Sequence, residues 1–402
     1  MRVLFTVTGA PSHAHEMLVL GRAVLDAGHE VLVATAPSAA PGLRGSGLPS
    51  VEALPDQARF WVERLGGVVP PARPGTDYPG VDAIVDVIAG RPLLREALAG
   101  LRPVVDRFRP DLVLRDGMEL AGLLVAEERG LPCLTVPSGT TNQLDPAAVL
   151  PRLNERRAEQ DLPTSADPLS AHRHGHVDCL PREYSLLGVP LSPCLAYRPP
   201  SPEGRSLPAW LADLDPSRPL VYGAVGIALA ATWRRDDVTA LAADPVEALS
   251  GLVAALSEVD CAAVVSTGGI PVDRVPPGAP HVRVVERAPQ PLLLECAQLF
   301  VTHAGANSVR EAVRAGVPMV AAPLFGDQPH NAARVAALGL GVRVVDGSPA
   351  DLVDACRTVL ADPGFTARAR HARRTVLALP PVGEVVTRLE QIAEAARSVA
   401  AV

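Results

Sequence analysis

Apolar runs and amphipathic stretches alternate along the first half of the chain. Runs of four to seven residues read as strands, and the stretches between them have helical periodicity. The strands are almost continuously apolar, as in a parallel sheet covered on both faces. This half therefore predicts a doubly wound α/β domain. The strand and helix segments are RVLFTVT (2–8), the helix to Ala27, EVLVAT (30–35), DLVLRD (111–116), AGLLVAEERG (121–130) and PCLTVPS (132–138).

The alternation stops between about 197 and 219, where YRPPSPEGRSLPAWLADLDPSRP has the proline-rich, polar composition of a linker. It restarts beyond that stretch, so we expect a second α/β domain of the same kind, with the two sheets facing each other across a cleft. The final segment carries apolar residues at helical spacing and is expected to pack back on the first domain. The predicted boundaries are 1–200, a linker at 201–218, 219–380, and a terminal helix at 381–402.

The amino-acid composition excludes several classes of function. The 402 residues carry a net charge of −7, with 37 basic against 44 acidic side chains and no basic stripe, so a nucleic-acid partner is not expected. The chain contains no lysine, which excludes Schiff-base and P-loop chemistry. Six scattered cysteines without a C-x-x-C pair fit a reduced compartment. With no apolar run long enough to span a membrane, we expect a cytoplasmic protein.

The most informative stretch is APQPLLLECAQLFVTHAGANSVREAVRAGVPMVAAPLFGDQPHNA, residues 288–332. A strand, LFVT, leads into HAGAN and then a helix from Ser308, which places His303 and Gly305 at the carboxyl edge of the sheet. A helix N-terminus entered through glycine attracts anions. The alternative is structural, since Ser308 and Glu311 have the spacing of a capping box.

A second ambiguous motif is GDQPHN, residues 326–331. Asp327 is able to cap a helix that has Pro329 in its first turn. Alternatively, Asp327 and Gln328 place an acceptor and a donor side by side, as a hydroxyl-rich ligand requires.

The stretch 288–332 resembles the donor-binding signature of nucleotide-sugar-dependent glycosyltransferases of the GT-B fold, particularly the plant secondary-product and actinomycete natural-product enzymes. The resemblance implies that His303 and Ser308 bind the diphosphate, that Gln290 and Glu311 reach the base and ribose, and that Asp327 and Gln328 hold the sugar. Arg287 stands where the family commonly has a base-stacking Trp, and Ile227 where it often has a small hydroxyl residue. The full predicted donor set is Arg287, Gln290, His303, Gly305, Asn307, Ser308, Glu311, Asp327 and Gln328.

The first loop, PSHAHEM (11–17), matches the family more loosely. The family's catalytic His lies 16 residues before the His of a GH turn, and His13 precedes His29 by that distance. The resemblance therefore makes His13 the general base, with Asp116 as the carboxylate that supports it. We expect His15 to start the helix and to have no catalytic role. Ser12 and Glu16 replace the Gly and Pro of the family pattern.

The resemblance implies an inverting, metal-independent glycosyltransferase. It would use a dTDP- or UDP-activated sugar, such as a deoxysugar, as co-substrate without a further cofactor. It would transfer the sugar to a small-molecule natural product, as in antibiotic biosynthesis. A nucleotide-sugar epimerase and a non-catalytic auxiliary subunit are the alternatives, and a homodimer is left open. We interpret two further polar motifs as solvated loops: HRHGH (172–176), rather than a metal site, and RRDD (234–237).

Overall fold

The computed structural model of the chain describes residues 1–64, 81–201, 206–226, 244–345 and 347–400, without the side chains of 62, 81, 140, 399 and 400. The chain divides into two compact units. The first takes in the N-terminal half up to Pro200 and the C-terminal stretch from Leu379, and the second runs from Ser201 to Ala378.

The first unit contains a seven-stranded parallel sheet of order β3-β2-β1-β4-β5-β6-β7. Its central strands are buried throughout, as their uninterrupted apolar runs predict. The strands are β1 (Arg2–Val7), β2 (Glu30–Thr35), β3 (Ser50–Glu52), β4 (Leu112–Asp116), β5 (Cys133–Val136), β6 (His176–Asp178) and β7 (Cys194–Ala196). The helices are α1 (Pro11–Asp26), α2 (Ala58–Arg64), α3 (Val81–Ile88), α4 (Arg91–Phe108), α5 (Ala121–Glu128) and α6 (Pro146–Ala158).

The second unit contains a six-stranded parallel sheet of order β10-β9-β8-β11-β12-β13. Both units therefore have the α/β architecture that the sequence predicts. The strands are β8 (Leu220–Ala224), β9 (Ala262–Ser266), β10 (Val282–Val285), β11 (Leu299–Thr302), β12 (Met319–Ala321) and β13 (Gly341–Arg343). The helices are α7 (Pro245–Ser257), α8 (Gln290–Cys296), α9 (Ala306–Ala315), α10 (Gln328–Ala337), α11 (Pro349–Ala361) and α12 (Pro363–Leu377).

The last helix, α13 (Val382–Ala400), belongs to the first unit although it follows the second in sequence. Its apolar face, which includes Val386 and Leu389, is buried in the same core as β1 and α1. His29 fixes it further, because its Nε2 lies 2.7 Å from a carboxylate oxygen of Glu390. The His29 that marks the register of the first loop thus has a structural role.

Among the helices of the described residues, no helix combines the length and the apolarity needed to cross a bilayer. Ile227 and the RRDD motif at 234–237 lie outside the described residues.

Candidate functional site

Within the described residues, the strand order of each sheet reverses direction at one point, and His13, Asp116 and His303 lie at these points. In the first unit the reversal falls between β1 and β4. His13 comes soon after β1, and Asp116 is the last residue of β4. In the second unit it falls between β8 and β11, which Gly226 and His303 follow. Open α/β sheets bind ligands at the carboxyl ends of the strands at such points.

His13 and Asp116 form a direct pair in the first unit. The Nδ1 atom of His13 lies 2.7 Å from Oδ2 of Asp116, and the Asp116 side chain is completely buried. The imidazole is 12% exposed, so one edge of the ring reaches the surface of the unit. Because Nδ1 is bound to the carboxylate, Nε2 is the atom suited to take a proton from a substrate.

Ser138 joins this pair, although it was not among the predicted site residues. Its hydroxyl donates to Oδ1 of Asp116 at 2.5 Å and lies 3.3 Å from Nδ1 of His13. The backbone N–H of Met118 donates to the same Oδ1 at 2.8 Å. Asp116 is therefore fixed by donors on both oxygens. Ser138 follows β5, which pairs with β4, so its position at the same sheet edge is the signal that could have identified it.

Two glycines confine the His13 ring. Gly139 has φ +50, and a Cβ there would lie 2.8 Å from Cε1 and Nε2 of the imidazole. Gly9, with φ +80, would bring a Cβ to 3.0 Å from the same ring. Both positions thus combine a left-handed backbone with no room for a side chain.

The structure corrects the expected start of α1. The helix begins at Pro11, so His13 and His15 both lie within it, whereas we expected His15 to start it. Residues two apart on a helix point in different directions. His13 accordingly reaches Asp116, and His15 is exposed.

In the second unit, His303 is buried between two glycines. A Cβ on Gly226 or on Gly305 would lie 2.4 Å from its Nε2. Burial lowers the pKa of His303 to about 4, and the backbone of Ala224 offsets this only in part. Its Nδ1 is buried and has no hydrogen-bond partner of normal geometry. His303 is therefore a neutral ring held in place at the end of β11.

The helix after His303 begins at Ala306, two residues earlier than expected, and the capping box is absent. Gly305 is the N-cap, and no side chain caps the helix. Ser308 falls in the first turn, where its Oγ accepts from Nε2 of Gln290 at 3.3 Å. Glu311 accepts from the same Nε2 at 2.7 Å. The first N–H groups of α9 thus lack a side-chain cap, and helix ends of this kind bind anions.

The GDQPHN motif braces the His303 loop. Asp327 precedes α10 but does not cap it, and its Oδ2 instead accepts from Nδ2 of Asn331 at 2.7 Å. The same amide donates to the backbone oxygen of Ala304 at 3.0 Å. Ala304 has φ +62, a strained conformation for a residue with a side chain. Asn331, which the sequence analysis missed, therefore links Asp327 to the loop that carries His303.

Three further residues of the predicted donor set are Gln328, Arg287 and Asn307. Gln328 is buried, and its Oε1 accepts from the backbone N–H of Leu324 at 2.8 Å. Arg287 is exposed and lies over Gly269, where a Cβ would be 2.7 Å from its Nη2. Asn307 lies next to Ser308 in the first turn of α9.

The HRHGH motif is not a solvated loop, so that interpretation was wrong. His172 and His176 are buried, at 9% and 2% exposure. His172 Nδ1 lies 3.0 Å from the Thr135 hydroxyl, and His174 accepts from the backbone N–H of Cys133. These rings therefore pack against β5. Across the residues that the structure describes, no group of three or more His, Cys, Asp or Glu could hold a metal ion.

The first unit also contains a pocket with about 530 Å³ of empty space, partly open to solvent. Gly117, which follows Asp116, forms part of its wall, as does Thr141, whose hydroxyl donates to the Ser138 backbone oxygen at 2.6 Å. The pocket thus adjoins the His13–Asp116–Ser138 network. Its lining is mostly apolar, with Arg115 and His172 as the ionisable members.

Comparisons with known proteins bear on the fold and on the class of enzyme. The family model described as UDP-glucoronosyl and UDP-glucosyl transferase matches residues 245–371. L-demethylnoviosyl transferase of Streptomyces niveus is 29% identical, covering 92% of this chain and 93% of its own. Elloramycin glycosyltransferase ElmGT of Streptomyces olivaceus is 27% identical, with 97% of each chain covered. The crystal structure of the glycosyltransferase VinC in complex with dTDP superimposes with a TM-score of 0.70 at 26% identity, covering 98% of this chain and 100% of that one.

The two parallel-sheet units and the match over residues 245–371 bear out the resemblance seen in the sequence. The relatives extend over nearly the whole chain, and the structural neighbour covers both units. The chain is therefore a sugar-transferring enzyme with the GT-B fold, and residues 245–371 of its second unit match the model of UDP-glucoronosyl and UDP-glucosyl transferases.

Proposed function

We propose that the protein transfers a sugar from a dTDP- or UDP-activated donor to a hydroxyl group of a small-molecule natural product, with inversion at the anomeric carbon. The observation that carries this proposal is the 2.7 Å contact between His13 and Asp116 beside an apolar pocket. The names of the relatives and the dTDP bound to the structural neighbour support the substrate classes, including a deoxysugar.

The base acts on the acceptor. Nε2 of His13 takes the hydroxyl proton while the acceptor oxygen forms a bond to the anomeric carbon. Asp116 stabilises the resulting imidazolium, and Ser138 holds Asp116 in orientation. General-base catalysis of this kind is typically worth ~10² to 10⁴-fold in rate. The pocket beside Gly117 and Thr141 would hold the acceptor.

The second unit would bind the donor and stabilise the leaving group. As the acceptor attacks, the bond from the anomeric carbon to the diphosphate oxygen breaks, and negative charge gathers on the diphosphate. The uncapped N–H groups of α9, the Ser308 hydroxyl and the neutral His303 ring supply donors for this charge. We assign Gln290 and Glu311 to the nucleoside and Asp327 and Gln328 to the sugar. No metal takes part in this scheme.

Transfer is favoured over epimerisation because the base lies beside a pocket in the unit that lacks the donor signature. The auxiliary-subunit alternative fits poorly with an intact base and carboxylate pair.

The experiment combines the purified protein with a dTDP- or UDP-sugar and a panel of phenolic and macrolide acceptors, and product is detected by mass spectrometry. We expect His13→Ala to lose most of its transfer rate and His15→Ala to lose less than about tenfold. Donor binding should persist in both. Equal losses in the two variants would refute the assignment of the base.

A further inference from the structure

Arg115 is a buried cation at the wall of the pocket. It precedes Asp116 in β4, and successive strand residues point to opposite faces of a sheet, so the two side chains serve different surroundings. Its side chain is 1% exposed, yet it lines the pocket. Burial of a charged group is costly unless hydrogen bonds and an opposite charge compensate it.

The hydrogen bonds of Arg115 use only part of the guanidinium. Nη1 donates to the backbone oxygens of Asp116, Gly117 and Glu119 at 3.3, 3.0 and 3.2 Å. Nη2 makes one long bond, 3.4 Å, to the backbone oxygen of Ala171. Nε is buried and has no hydrogen-bond partner. The brace on the turn after β4 therefore depends on Nη1, the guanidinium also interacts with the Cys133 side chain, and Nε is left for another acceptor.

The charge of Arg115 is also incompletely neutralised. Within the described part of the chain it forms no ion pair with a carboxylate. The Glu119 carboxyl group is near, but its oxygens accept from the Thr6 hydroxyl and the first N–H groups of α5, and burial raises its pKa. His172 carries no charge, because burial lowers the pKa of its imidazole to about 3. Among the described residues that line the pocket, Arg115 is thus a cation without a carboxylate partner.

We infer that the acceptor is an apolar molecule bearing an acidic group, a carboxylate or an acidic phenol or enol, which Arg115 binds inside the pocket. The rest of the wall supports this, since Leu144, Val149, Leu153 and Leu191 offer apolar contact but no other cation. An ionised oxygen matches the guanidinium fork and forms charge-assisted hydrogen bonds with it. This inference rests on the proposed function, because it identifies the pocket as the acceptor site.

The test compares two acceptors that differ only in charge, 6-hydroxy-2-naphthoate and 6-hydroxy-2-naphthamide. Binding to the wild-type protein is measured by calorimetry, and transfer from a dTDP- or UDP-sugar is measured as kcat/KM. We expect the naphthoate to bind about tenfold or more tightly and to have the higher kcat/KM. Equal affinities, or a preference for the amide, would overturn the inference without any variant.

Two variants test whether Arg115 is the source of the preference for the naphthoate. Arg115→Gln should reduce the preference to less than about threefold, whereas Arg129→Gln, a change at an exposed arginine of the same unit, should retain it. A full preference in a folded Arg115→Gln protein would place the anion elsewhere and refute the assignment. The results distinguish the failure of this inference from the failure of the proposed function. Equal kcat/KM values for the two compounds would overturn only the inference of an acidic acceptor. Preferential binding of the naphthoate without any sugar transfer would overturn only the proposed transferase activity.

Discussion

Replacement of Ser138 by Ala tests the proposed catalytic network most directly. The hydroxyl donates to Oδ1 of Asp116 at 2.5 Å, and both side chains are fully buried, so water will not replace the lost donor. A hydrogen bond to a charged group contributes about 1.5 to 3 kcal/mol. If that energy is expressed in the transition state, in which Asp116 faces an imidazolium, kcat should fall by about 10- to 100-fold.

The assay measures kcat and the donor KM of Ser138→Ala beside those of Ser46→Ala. Ser46 is a suitable control because it is also buried in the first unit and its hydroxyl accepts only locally, from the Leu48 N–H at 3.1 Å. We expect the donor KM to stay unchanged in both variants, since Ser138 lies in the first unit and the proposed donor residues lie in the second. An unchanged kcat in a folded Ser138→Ala protein, or an equal loss in Ser46→Ala, would refute the positioning role.

Three further outcomes follow from the structure. Gly139→Ala should lower kcat more than Ser138→Ala does, because the new Cβ would lie 2.8 Å from the His13 ring and would displace it. Circular dichroism will show whether the fold is kept, and a folded variant with wild-type turnover would refute the contact. The pKa of His303 is about 4 in the folded protein and 6.5 in the unfolded chain. Between these pH values the unfolded state binds more protons, so the free energy of unfolding that is present above pH 6.5 decreases toward pH 4. The loss should be about 3 kcal/mol by denaturant unfolding relative to His303→Gln, and parallel pH curves for the two proteins would contradict it. EDTA should leave turnover unchanged, and a loss reversed by Mg²⁺ or Mn²⁺ would contradict the metal-free scheme.

The architecture could be predicted from the amino-acid sequence, because strand burial is encoded locally. Continuous apolar runs such as those of β1 and β4 have no polar face to expose, so they require a sheet covered on both sides. The same holds for the apolar stripe of α13, which requires a surface to cover. The positions of His303 after β11 and Asp116 at the end of β4 follow from the same reasoning.

Predictions from local sequence patterns were wrong where one pattern is compatible with two different structures. Ser308 and Glu311 have the spacing of a capping box, but the turn at Gly305 starts the helix earlier and Gln290 binds both side chains instead. The alternating histidines at 172–176 look polar and solvated in sequence, yet β6 places His176 beside Thr135 within the sheet. In both cases a partner distant in sequence decided the outcome.

Only the tertiary structure identified Ser138 and the charged wall of the pocket. Ser138 is 125 residues from His13 in sequence, and the pairing of β4 with β5 brings it to the same sheet edge as Asp116. Arg115 looked like an ordinary polar residue in a strand until packing buried it at 1% exposure with Nε lacking a hydrogen-bond partner. A sequence states which groups a chain contains, but desolvation and hydrogen-bond satisfaction depend on every neighbour in space, and only the folded chain specifies those neighbours.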